Sequence, residues 1–461
     1  MAKSGTTSGP ELLVELDRDA TDPLHRQLAD RLRTAIRTGR LTPGTRLPSS
    51  RVFAADLGVS RRLVVDAYSQ LVAEGFLLSR HGSGTVVATV DSVEEPARGH
   101  DGPTARYDVD FQPGSPDLGS FPRDAWLRAL RQGLAEIGSD AFGYVSPQGL
   151  FTTRCAVADY LRRARGVLAD PHHIVLCSGA TQAVALLAQS LPTASLAMEE
   201  PGFWLHRMVL RNNGIEPVQV PVDDDGLDVG ALADSGAEAV LTTPAHQCPT
   251  GFVLSAARRT ELMDWARADH LVVEDDYDAE YRYDRAPVGA LQGIAPDRVI
   301  YVGSTSKTLA PGLRIGWMVL PAQLVADVVR AKGLADTGSS VMDQLAFAHL
   351  LTSGGYDRHL RQMRRRYLMR RNALLRALNR YLPQVTVLGA AAGLQLTVCF
   401  PDGFPIEELV HRAAAQRVRV EPLAPCYADS ESAPPGLLLG YANLTESQID
   451  SGVRILAGAM P

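Results

Sequence analysis

Apolar residues near the N-terminus recur at every fourth position, which is typical of one face of an amphipathic helix. They are Leu24, Leu28, Leu32 and Ile36. Together with the preceding proline, they predict a first helix over about Pro23–Thr38. After the turn TPGTRLPSS, either Ser49 or Ser50 can cap a short second helix. This helix is expected to run to Leu57, because the Gly58 that follows allows a left-handed stop.

A third helix and a β-hairpin complete this N-terminal pattern. Ser60 is in position to cap the helix and Gly75 to end it. Its inward residues are Val64, Ala67 or Tyr68, and Leu71. Arg61 and Arg62 are thereby left on the exposed first turn, from which a recognition helix reads DNA. Beyond it, FLLSR and TVVA predict two short strands around the glycine-rich turn HGSG, so residues 12–90 are predicted to form a winged helix-turn-helix.

From Val109 onward, short apolar runs alternate with helix-like segments. The runs are HIVLCS, EAVLTT, HLVVEDD and RVIYVGS. Such runs are typical of strands covered on both faces, so residues 109–461 are predicted to form an α/β body with a mostly parallel sheet. The stretch DSVEEPARGHDGPTARYD, residues 91–108, lacks apolar periodicity and mixes proline, glycine and charge. It predicts a flexible linker between the two parts.

The distribution of charge separates the same two parts. The chain of 461 residues has a net charge of −6, which excludes a uniformly basic nucleic-acid binder. Residues 20–90 nevertheless contain ten basic and five acidic residues, a net charge of +5, so the remainder carries −11. A small basic module is therefore joined to a large acidic body.

Cysteine spacing and hydropathy restrict the class of protein further. The five cysteines are scattered, with no CxxC and no paired-histidine spacing, which argues against a disulfide framework and against a zinc site. No apolar segment follows Lys3, as a secretory signal requires. No run approaches the ~20 apolar residues that span a bilayer. We expect a soluble, cytoplasmic protein without a membrane partner.

A candidate for covalent cofactor chemistry lies in YVGSTSKTLAPGLRIGW, where an apolar strand runs into a Ser-Thr-Ser-Lys turn. Lys307 offers an amine that can form a Schiff base with an aldehyde such as pyridoxal 5′-phosphate. Hydroxyls and a cation for the phosphate are close in sequence, at Ser304, Ser306 and Arg314. The motif alone is equally typical of a surface lysine, so the interpretation depends on other strings.

Three other strings favour a cofactor site. HIVLCSGATQAVALLAQ predicts a strand, a glycine turn and a helix whose first amides can bind a phosphate. These amides belong to Gly179, Ala180 and Thr181. In HLVVEDDYDAEYRY, Asp275 ends a buried strand and can pair with a protonated pyridine nitrogen, while Tyr277 on the same side can bond the ring oxygen. In EEPGFW, Phe203 can stack on a flat cofactor, although an aromatic residue is more often core.

A metal site is the alternative for the acidic strand end, but no histidine or cysteine lies near enough in sequence to support it. We therefore predict no metal.

The two parts of the chain resemble two known families. LPSSRVFAADLGVSRRLVVDAYSQLVAEGFLLSRHGSGTVV closely resembles the GntR family of bacterial repressors. SGATQ, EEPGF, PAHQCPTG, EDDYDAEYRY and GSTSKTLAPGLRIGW, in this order, resemble the fold-type I aminotransferases. A GntR module ahead of such a body is similar to the MocR subfamily of transcriptional regulators, including its PdxR-like members. The resemblance implies an α/β chain: a winged helix-turn-helix followed by a large aminotransferase-like domain that binds pyridoxal 5′-phosphate.

For the N-terminal module, the resemblance implies contacts with double-stranded promoter or operator DNA, and hence association with the nucleoid. The residues expected to make these contacts are Arg51, Ser60, Arg61, Arg62 and Arg80.

For the body, the resemblance implies that Lys307 forms the Schiff base, Asp275 binds the pyridine nitrogen and Tyr277 the phenolic oxygen. Phosphate contacts are expected from Gly179, Ala180, Thr181, Ser304, Ser306 and Arg314, and stacking on the ring from Phe203. Tyr144 stands five residues before Gly149, the spacing of the aminotransferase tyrosine that reaches the phosphate of the other subunit. A homodimer, domain-swapped or not, is therefore expected.

The sequence departs from the aminotransferase pattern at two places. Cys248 stands before PTG, where these enzymes usually carry an asparagine to the cofactor oxygen. The C-terminal strand PGLLLGYANL contains no arginine, whereas aminotransferases normally place one there to hold the substrate carboxylate. The missing arginine argues against transamination and against an amino-acid effector bound in the usual way, so we predict no catalytic residues and no enzyme activity.

Three functions follow as hypotheses. The first is a transcription regulator that senses pyridoxal 5′-phosphate and controls vitamin B6 synthesis, with attachment at Lys307 changing the affinity for DNA. The second keeps the regulator but gives it an amino-acid-type effector, such as γ-aminobutyrate or taurine, that reacts with the Schiff base. The third is a pyridoxal-phosphate-dependent aminotransferase with an accessory DNA-binding domain, since a shared fold does not by itself secure function.

Overall fold

The computed structural model describes residues 16–80, 84–89, 107–284 and 288–460. The chain divides into two compact units, Met1–Ala105 and Arg106–Pro461. Residues 12–15, the hairpin turn 81–83 and residues 91–106 of the predicted linker lie outside the described residues. At the start of the second unit, Asp108 donates its backbone N–H to the carbonyl oxygen of Arg417 and pairs with the Arg417 guanidinium. Asp108 is therefore joined to the body.

The first unit has three helices and a hairpin, as predicted. Its elements are α1 (Leu24–Arg37), α2 (Ser50–Asp56), α3 (Arg61–Ala73), β1 (Leu77–Arg80) and β2 (Gly84–Val87). Strands β1 and β2 pair antiparallel. Ser49 is the cap of α2, because its side chain accepts the Val52 backbone N–H, and Ser60 caps α3 by accepting that of Leu63. A winged helix-turn-helix is thus the fold of this unit.

The core of the first unit includes most of the residues that the apolar spacing selected. Those buried on α1 and α3 are Leu28, Leu32, Ile36, Val64, Ala67, Tyr68 and Leu71. Both alternatives on α3, Ala67 and Tyr68, face inward, and Leu24 is only half-buried. Arg61 and Arg62 are not part of this core, and both are exposed on the first turn of α3.

The second unit is an α/β body. Its helices are α4 (Arg123–Glu136), α5 (Phe151–Arg165), α6 (Ala180–Ser190), α7 (Trp204–Asn212), α8 (Val229–Asp234), α9 (Ala256–Arg267), α10 (Val325–Asp336), α11 (Val341–Thr352), α12 (Gly355–Tyr381), α13 (Ile406–Ala415) and α14 (Glu446–Gly458). Its strands are β3 (Val109–Asp110), β4 (Ile174–Cys177), β5 (Leu196–Glu200), β6 (Val218–Asp223), β7 (Gly226–Leu227), β8 (Ala239–Thr242), β9 (Leu271–Asp275), β10 (Val299–Ser304), β11 (Gly316–Val319), β12 (Thr386–Leu388), β13 (Gln395–Cys399), β14 (Val418–Arg419), β15 (Glu421–Pro422) and β16 (Gly436–Gly440).

The large sheet of this body has eight strands in the order β4-β11-β10-β9-β8-β5-β6-β7. The pairs from β10 through β9, β8 and β5 to β6 are parallel, whereas β11 runs antiparallel between β10 and β4. All four predicted apolar runs are strands of this sheet, and they are buried throughout. The predicted fold class, a mostly parallel sheet covered by helices, is confirmed.

A second sheet of four antiparallel strands, β12-β13-β16-β15, packs with α12, α13 and α14 around its own apolar core. Among the described residues, no helix is both long and apolar enough to cross a membrane.

Candidate functional site

A cavity of about 270 Å³ lies at the carboxyl ends of several strands of the large sheet. This is the edge at which open α/β sheets bind their ligands. Most of the residues predicted to bind a cofactor line it: Lys307, Asp275, Tyr277, Phe203, Ala180, Thr181, Ser304, Ser306 and Arg314. The fold therefore brings together side chains that are up to 134 residues apart, between Ala180 and Arg314.

Lys307 lies in the connection between β10 and β11. Within the described part of the chain its Nζ has no hydrogen bond or ion pair. Burial of this amine lowers the pKa of Lys307, although Cys248, Asp278 and Asp275 oppose the shift. A lowered pKa increases the neutral fraction, which is the form that attacks an aldehyde.

Gly114 makes room for this amine. It lies in a loop after β3 with φ +65°, and an added Cβ would come within 2.5 Å of Lys307 Nζ. A side chain at this position would therefore compete with the lysine for space.

Asp275, at the end of β9, is buried with one unsatisfied oxygen. Oδ2 is 3.6 Å from Nε2 of His206, and Oδ1 has no hydrogen-bond partner in the described structure. Burial raises the pKa of Asp275 to about 7, and the neighbouring Asp276 and Asp278 act in the same direction. Such a carboxylate is suited to a cationic N–H donor, which would satisfy the bare oxygen and offset the cost of burial.

Tyr277 is two residues beyond Asp275 and lines the same cavity. Burial raises its pKa well above the usual value, and Asp278 adds to the shift. The phenol therefore keeps its proton and can donate it to a ligand oxygen. The hydroxyl is 3.0 Å from Nδ1 of His246.

The opposite end of the cavity is suited to a phosphate. Helix α6 begins at Ala180 after Gly179, whose φ of +103° is open mainly to glycine, and its first N–H groups are free of intrahelical partners. A Cβ added at Gly179 would be 3.5 Å from the Arg314 guanidinium, which places this cation beside the turn. The Ser304 hydroxyl accepts the backbone N–H of Ser306. Amides, hydroxyls and one arginine together form an anion site.

Of two predicted aromatic residues, Phe203 lines the cavity and Tyr144 does not. The Phe203 ring is half-buried in the cavity wall and meets the His206 ring edge-on, with centroids 5.0 Å apart. Tyr144 is 99% exposed and does not line the cavity within this one chain.

These observations test whether the site fits pyridoxal 5′-phosphate, and it does. A lysine amine, a carboxylate with a bare buried oxygen, a phenolic donor and a set of polar groups suited to an anion line one cavity, and that molecule offers a partner for each of them. Lys307 would be joined to the aldehyde, Asp275 would hold the ring nitrogen, and the α6 turn would hold the phosphate.

Sequence reasoning missed several cavity residues. They include Gly114, His206, Thr243, Gln395, Cys426 and Leu438. His206 gave one usable signal, because it lies three residues after Phe203 on a helix, so both point to the same side. The second sheet and its loops contribute Gln395, Cys426 and Leu438, and no local sequence motif indicates that these residues line the cavity.

Two cationic side chains, Lys307 and Arg314, are among the described residues that line the cavity. Among the cavity-lining residues of the described chain, Arg314 is the sole arginine, and it lies at the phosphate end. Leu438 is the residue that the C-terminal strand β16 contributes.

In the first unit, the predicted DNA-contacting residues form an exposed surface. Arg51, Ser60, Arg61 and Arg62 are exposed, and Arg61 Nε lies 3.4 Å from the Ser50 hydroxyl. Arg62 is 91% exposed in its side chain and stands 4.0 Å from Asp66. The Arg80 backbone ends β1, and its side chain lies outside the described residues. The surface is thus basic and open to a polyanion.

Family comparisons agree with both halves. Residues 24–87 match the bacterial regulatory proteins of the gntR family, and residues 109–456 match aminotransferase class I and II. The probable rhizopine catabolism regulatory protein MocR of Rhizobium meliloti is 35% identical over 97% of this chain and 96% of its own length. The pyridoxine biosynthesis transcriptional regulator PdxR of Corynebacterium glutamicum is 33% identical over 87% of this chain and 91% of its own.

Solved structures similar to this chain are aminotransferases. A multiple substrate aminotransferase from Thermococcus profundus aligns with a TM-score of 0.71 and 25% identity, over 77% of this chain and 91% of its own. A kynurenine aminotransferase from Pyrococcus horikoshii aligns with a TM-score of 0.71 and 28% identity over the same shares. With its GntR module and its aminotransferase class I and II domain, the chain belongs to the MocR subfamily of the GntR transcriptional regulators.

Proposed function

We propose that this regulator binds pyridoxal 5′-phosphate covalently at Lys307 and that this molecule is itself the signal, controlling genes of vitamin B6 synthesis. The observation that carries the proposal is the set of charges in the cavity. The lining residues include an amine for the aldehyde, a carboxylate for the ring nitrogen and a cation for the phosphate, but no second arginine for the carboxylate of an amino acid. The 33% identity to a regulator named for pyridoxine biosynthesis supports the same ligand.

Arg207 could be expected to serve as such a second arginine, but it is engaged elsewhere. It lies one helical turn beyond Phe203 and is buried. Its Nη2 donates to the Glu200 carboxylate at 2.7 Å and to the carbonyl oxygen of Cys426 at 3.1 Å. Freeing it for a ligand would leave the Glu200 carboxylate without its cation, although Oε1 would keep the Ala428 backbone N–H, and losing a counter-charge in a partly buried position is costly.

Each side chain of the cavity has a defined task in this function. When bound, pyridoxal 5′-phosphate supplies an aldehyde that an amine can attack. Lys307 supplies that amine, and its lowered pKa keeps it reactive. Asp275 holds a proton on the ring nitrogen, Tyr277 donates to the ring oxygen, and the α6 turn with Arg314 orients the phosphate. DNA affinity then changes only by the difference in the cofactor's affinity for the two states of the chain.

The decisive test is a DNA-binding assay on the DNA upstream of the chain's own gene, with and without pyridoxal 5′-phosphate. Wild type should change its affinity with the aldehyde but not with pyridoxine 5′-phosphate, which has the same ring and phosphate but no aldehyde. Lys307→Arg keeps the charge but cannot be joined to the aldehyde, so it should lose the response together with Lys307→Ala. Binding that ignores the cofactor, or an intact response in both variants, contradicts the proposal.

We further propose that Arg51, Ser60, Arg61, Arg62 and Arg80 contact the DNA. Phosphate neutralisation by arginines makes the affinity fall steeply with salt, so a flat salt response would exclude this surface. Arg61→Ala should weaken operator binding more than Arg98→Ala in the predicted linker. Equal losses would contradict the assignment of α3 as the recognition helix.

A second candidate is a regulator with an amine effector such as γ-aminobutyrate or taurine. Gln395 favours it, because it lines the cavity and the one hydrogen-bond partner of its Nε2 among the described residues is a distant sulfur, Cys248 Sγ at 4.0 Å. An acidic group of an effector can accept from this amide. Adding a panel of amines to the cofactor-loaded protein and recording its visible absorption tests this candidate, and silence across the panel counts against it.

Transamination is the third function to be tested, and we propose that it is absent. The cavity holds the lysine and aspartate of the aminotransferase fold but lacks the second arginine that would orient an amino donor. Keto-acid production from simple amino donors at an ordinary turnover rate would overturn this part of the proposal.

We also propose a homodimer in which Tyr144 completes the partner's phosphate site. Tyr144 is almost fully exposed. Pro147, three residues further along the chain, packs against Gly333, and the residue after Gly333, Leu334, is 86% exposed. Mixing Lys307→Ala with Tyr144→Phe tests this arrangement. Mixed dimers contain one site with both native residues, so cofactor retention should recover to about a quarter of wild type if subunits exchange freely. No recovery in dimers shown by mass to be mixed would contradict it.

A further inference from the structure

His246 is a buried residue at the edge of the cofactor cavity with a contact on each side. Its Nδ1 lies 3.0 Å from Oδ2 and 3.2 Å from Oδ1 of Asp278, and 3.0 Å from the Tyr277 hydroxyl oxygen. Gly251 and Gly393 pack against the ring, because a Cβ added to either would lie within 3.0 Å of it. The ring is therefore held in place, and one nitrogen serves two partners.

The position of the proton on His246 follows from Asp278. The Asp278 side chain is 2% exposed, and His246 is its one hydrogen-bond partner in the described structure. A buried carboxylate without a donor is costly, so Nδ1 must carry a hydrogen whether the imidazole holds one proton or two. Turning the ring over would place a carbon against the carboxylate and leave it without a donor.

This proton position decides where the Tyr277 proton points. Because Nδ1 already carries a hydrogen, the Tyr277 hydroxyl cannot donate to it, and the Tyr277 oxygen can only share, as a further acceptor, the hydrogen that Nδ1 donates to Asp278. The Tyr277 hydroxyl has no second hydrogen-bond partner among the described residues. Its own proton is left to point toward the cavity that the side chain lines.

We propose that His246 is a positioning residue, which together with Asp278 turns the phenolic proton of Tyr277 toward the ring oxygen of the cofactor. The inference rests on the proposed cofactor. It assigns a purpose to the histidine of PAHQCPTG, and it matters more in this chain because Cys248 occupies the place of the usual asparagine donor.

The charged and titratable groups around Tyr277 all affect its proton, so a test of His246 must leave them in place. They are Asp278, Cys248, Asp275 and Glu199, with Lys307 across the cavity. None of these is removed by a change at His246, so an effect that passes through Tyr277 can be isolated by a double substitution.

The experiment measures the visible absorption of the full-length, cofactor-loaded protein against pH, after counting attached cofactor by mass following borohydride reduction. A donor on the ring oxygen stabilises its negative charge, so losing the donor raises the pH midpoint. Tyr277→Phe should raise it by about one unit, as expected for a hydrogen bond to a charged group. His246→Leu should raise it in the same direction, and His246→Asn, whose amide replaces the Nδ1 donor, should restore the wild-type midpoint.

The double substitution separates positioning from a general disturbance. In the Tyr277→Phe background, His246→Leu should cause no further shift. An equal shift in both backgrounds, or none in the wild-type background, overturns the proposal. His359→Leu is the matched control, because His359 is a largely buried histidine that contacts the Thr308 carbonyl outside the cavity, and it should leave the midpoint unchanged.

Failure of the cofactor itself is distinguishable from failure of this inference. If wild type attaches no cofactor, the proposed function fails, but the proton on Nδ1 is still testable in the cofactor-free protein. Histidine-specific ¹⁵N NMR, with His246→Asn to identify the signal, should show Nδ1 protonated. A proton on Nε2 alone would overturn the inference, as would loss of cofactor in every His246 variant while His359→Leu retains it.

Discussion

Two consecutive carboxylates at the end of β9 are both buried, but their surroundings differ completely. Asp276 faces Arg165, whose Nε donates to it at 2.7 Å, and Tyr301, whose hydroxyl donates at 2.6 Å. Asp275 faces the cavity, and its Oδ2 has only His206, at 3.6 Å, whereas the Oδ1 atoms of both carboxylates lack a hydrogen-bond partner in the described structure. Successive residues of a strand point to opposite faces, so one strand end serves two environments.

The difference shows how a structural charge is distinguished from a binding charge. Burial opposes the charge of Arg165, yet Asp276, with smaller contributions from Tyr301 and Glu280, outweighs it and raises the pKa of Arg165. Asp275 has no such cation, and its pKa rises to about 7 because burial dominates. The fold supplies a hydrogen-bonded cation to one carboxylate and none to the other, which is the arrangement expected of a carboxylate that binds a ligand.

Asp276→Asn should break the structural side of this comparison and have the largest effect. It leaves the Arg165 guanidinium buried without its counter-charge, which typically costs about 3–5 kcal/mol. Chemical denaturation of the cofactor-free protein measures the loss. A change below ~1 kcal/mol would show that Arg165 finds another partner and that the two carboxylates are more alike than their contacts indicate.

Asp275→Asn should act in the opposite direction on stability. The pKa of Asp275 is raised from 3.8 to about 7 in the fold, so ionisation favours unfolding from about pH 4 upward and reaches its full effect above about pH 7. Removing the charge should stabilise the cofactor-free protein on the order of 2–4 kcal/mol at pH 8, with little gain near pH 4. The same change should weaken cofactor retention. A pH-independent gain would contradict the assignment.

Gly114→Ala tests the cofactor-binding side of the comparison and should have a smaller effect. The φ of +65° costs any L residue about 1 kcal/mol, and the added Cβ also meets Lys307 Nζ. Gly166→Ala is the matched control, since Gly166 has φ +68° and open space around it. Both should lower the melting temperature similarly, but only Gly114→Ala should slow attachment of the cofactor, as measured by mass. Equal attachment rates would show that Lys307 moves aside freely.

Arg62→Ala should have the smallest effect on stability, because the Arg62 side chain is not buried. Its side chain is 91% exposed and its distance to Asp66 is 4.0 Å, so the melting temperature should not change. The logarithmic salt slope of DNA binding should fall by about one, if Arg62 neutralises one phosphate. An unchanged slope would remove Arg62 from the proposed DNA surface.

The sequence predicted those parts of the fold that local spacing determines. The four-residue apolar spacing located α1 and α3, and the apolar runs located β4, β8, β9 and β10, because burial on one or both faces imposes a period on the sequence. Short strands such as β7 and β15, of two residues each, carry no period and were not predicted.

For the cavity, too, the sequence predicted only the residues that belong to local motifs. Residues at strand ends and in glycine turns carry motifs, whereas Gln395 and Leu438 enter through the second sheet, whose approach to the first depends on long-range packing. The role of His246 was also missed. Its meaning depends on Asp278, 32 residues away, and on the proton between them.

The connection from β10 to β11 has a consequence for how the site is assembled. Thr305 closes it by donating its backbone N–H to the carbonyl oxygen of Ile315 at 2.9 Å, and Lys307 and Arg314 both lie within this short loop. Closing so small a loop carries a low entropic cost. The two cations that would hold the aldehyde and the phosphate of the cofactor therefore lie in one locally closed loop, whose ends are fixed by strand pairing to the segments that supply Asp275 and Gly179.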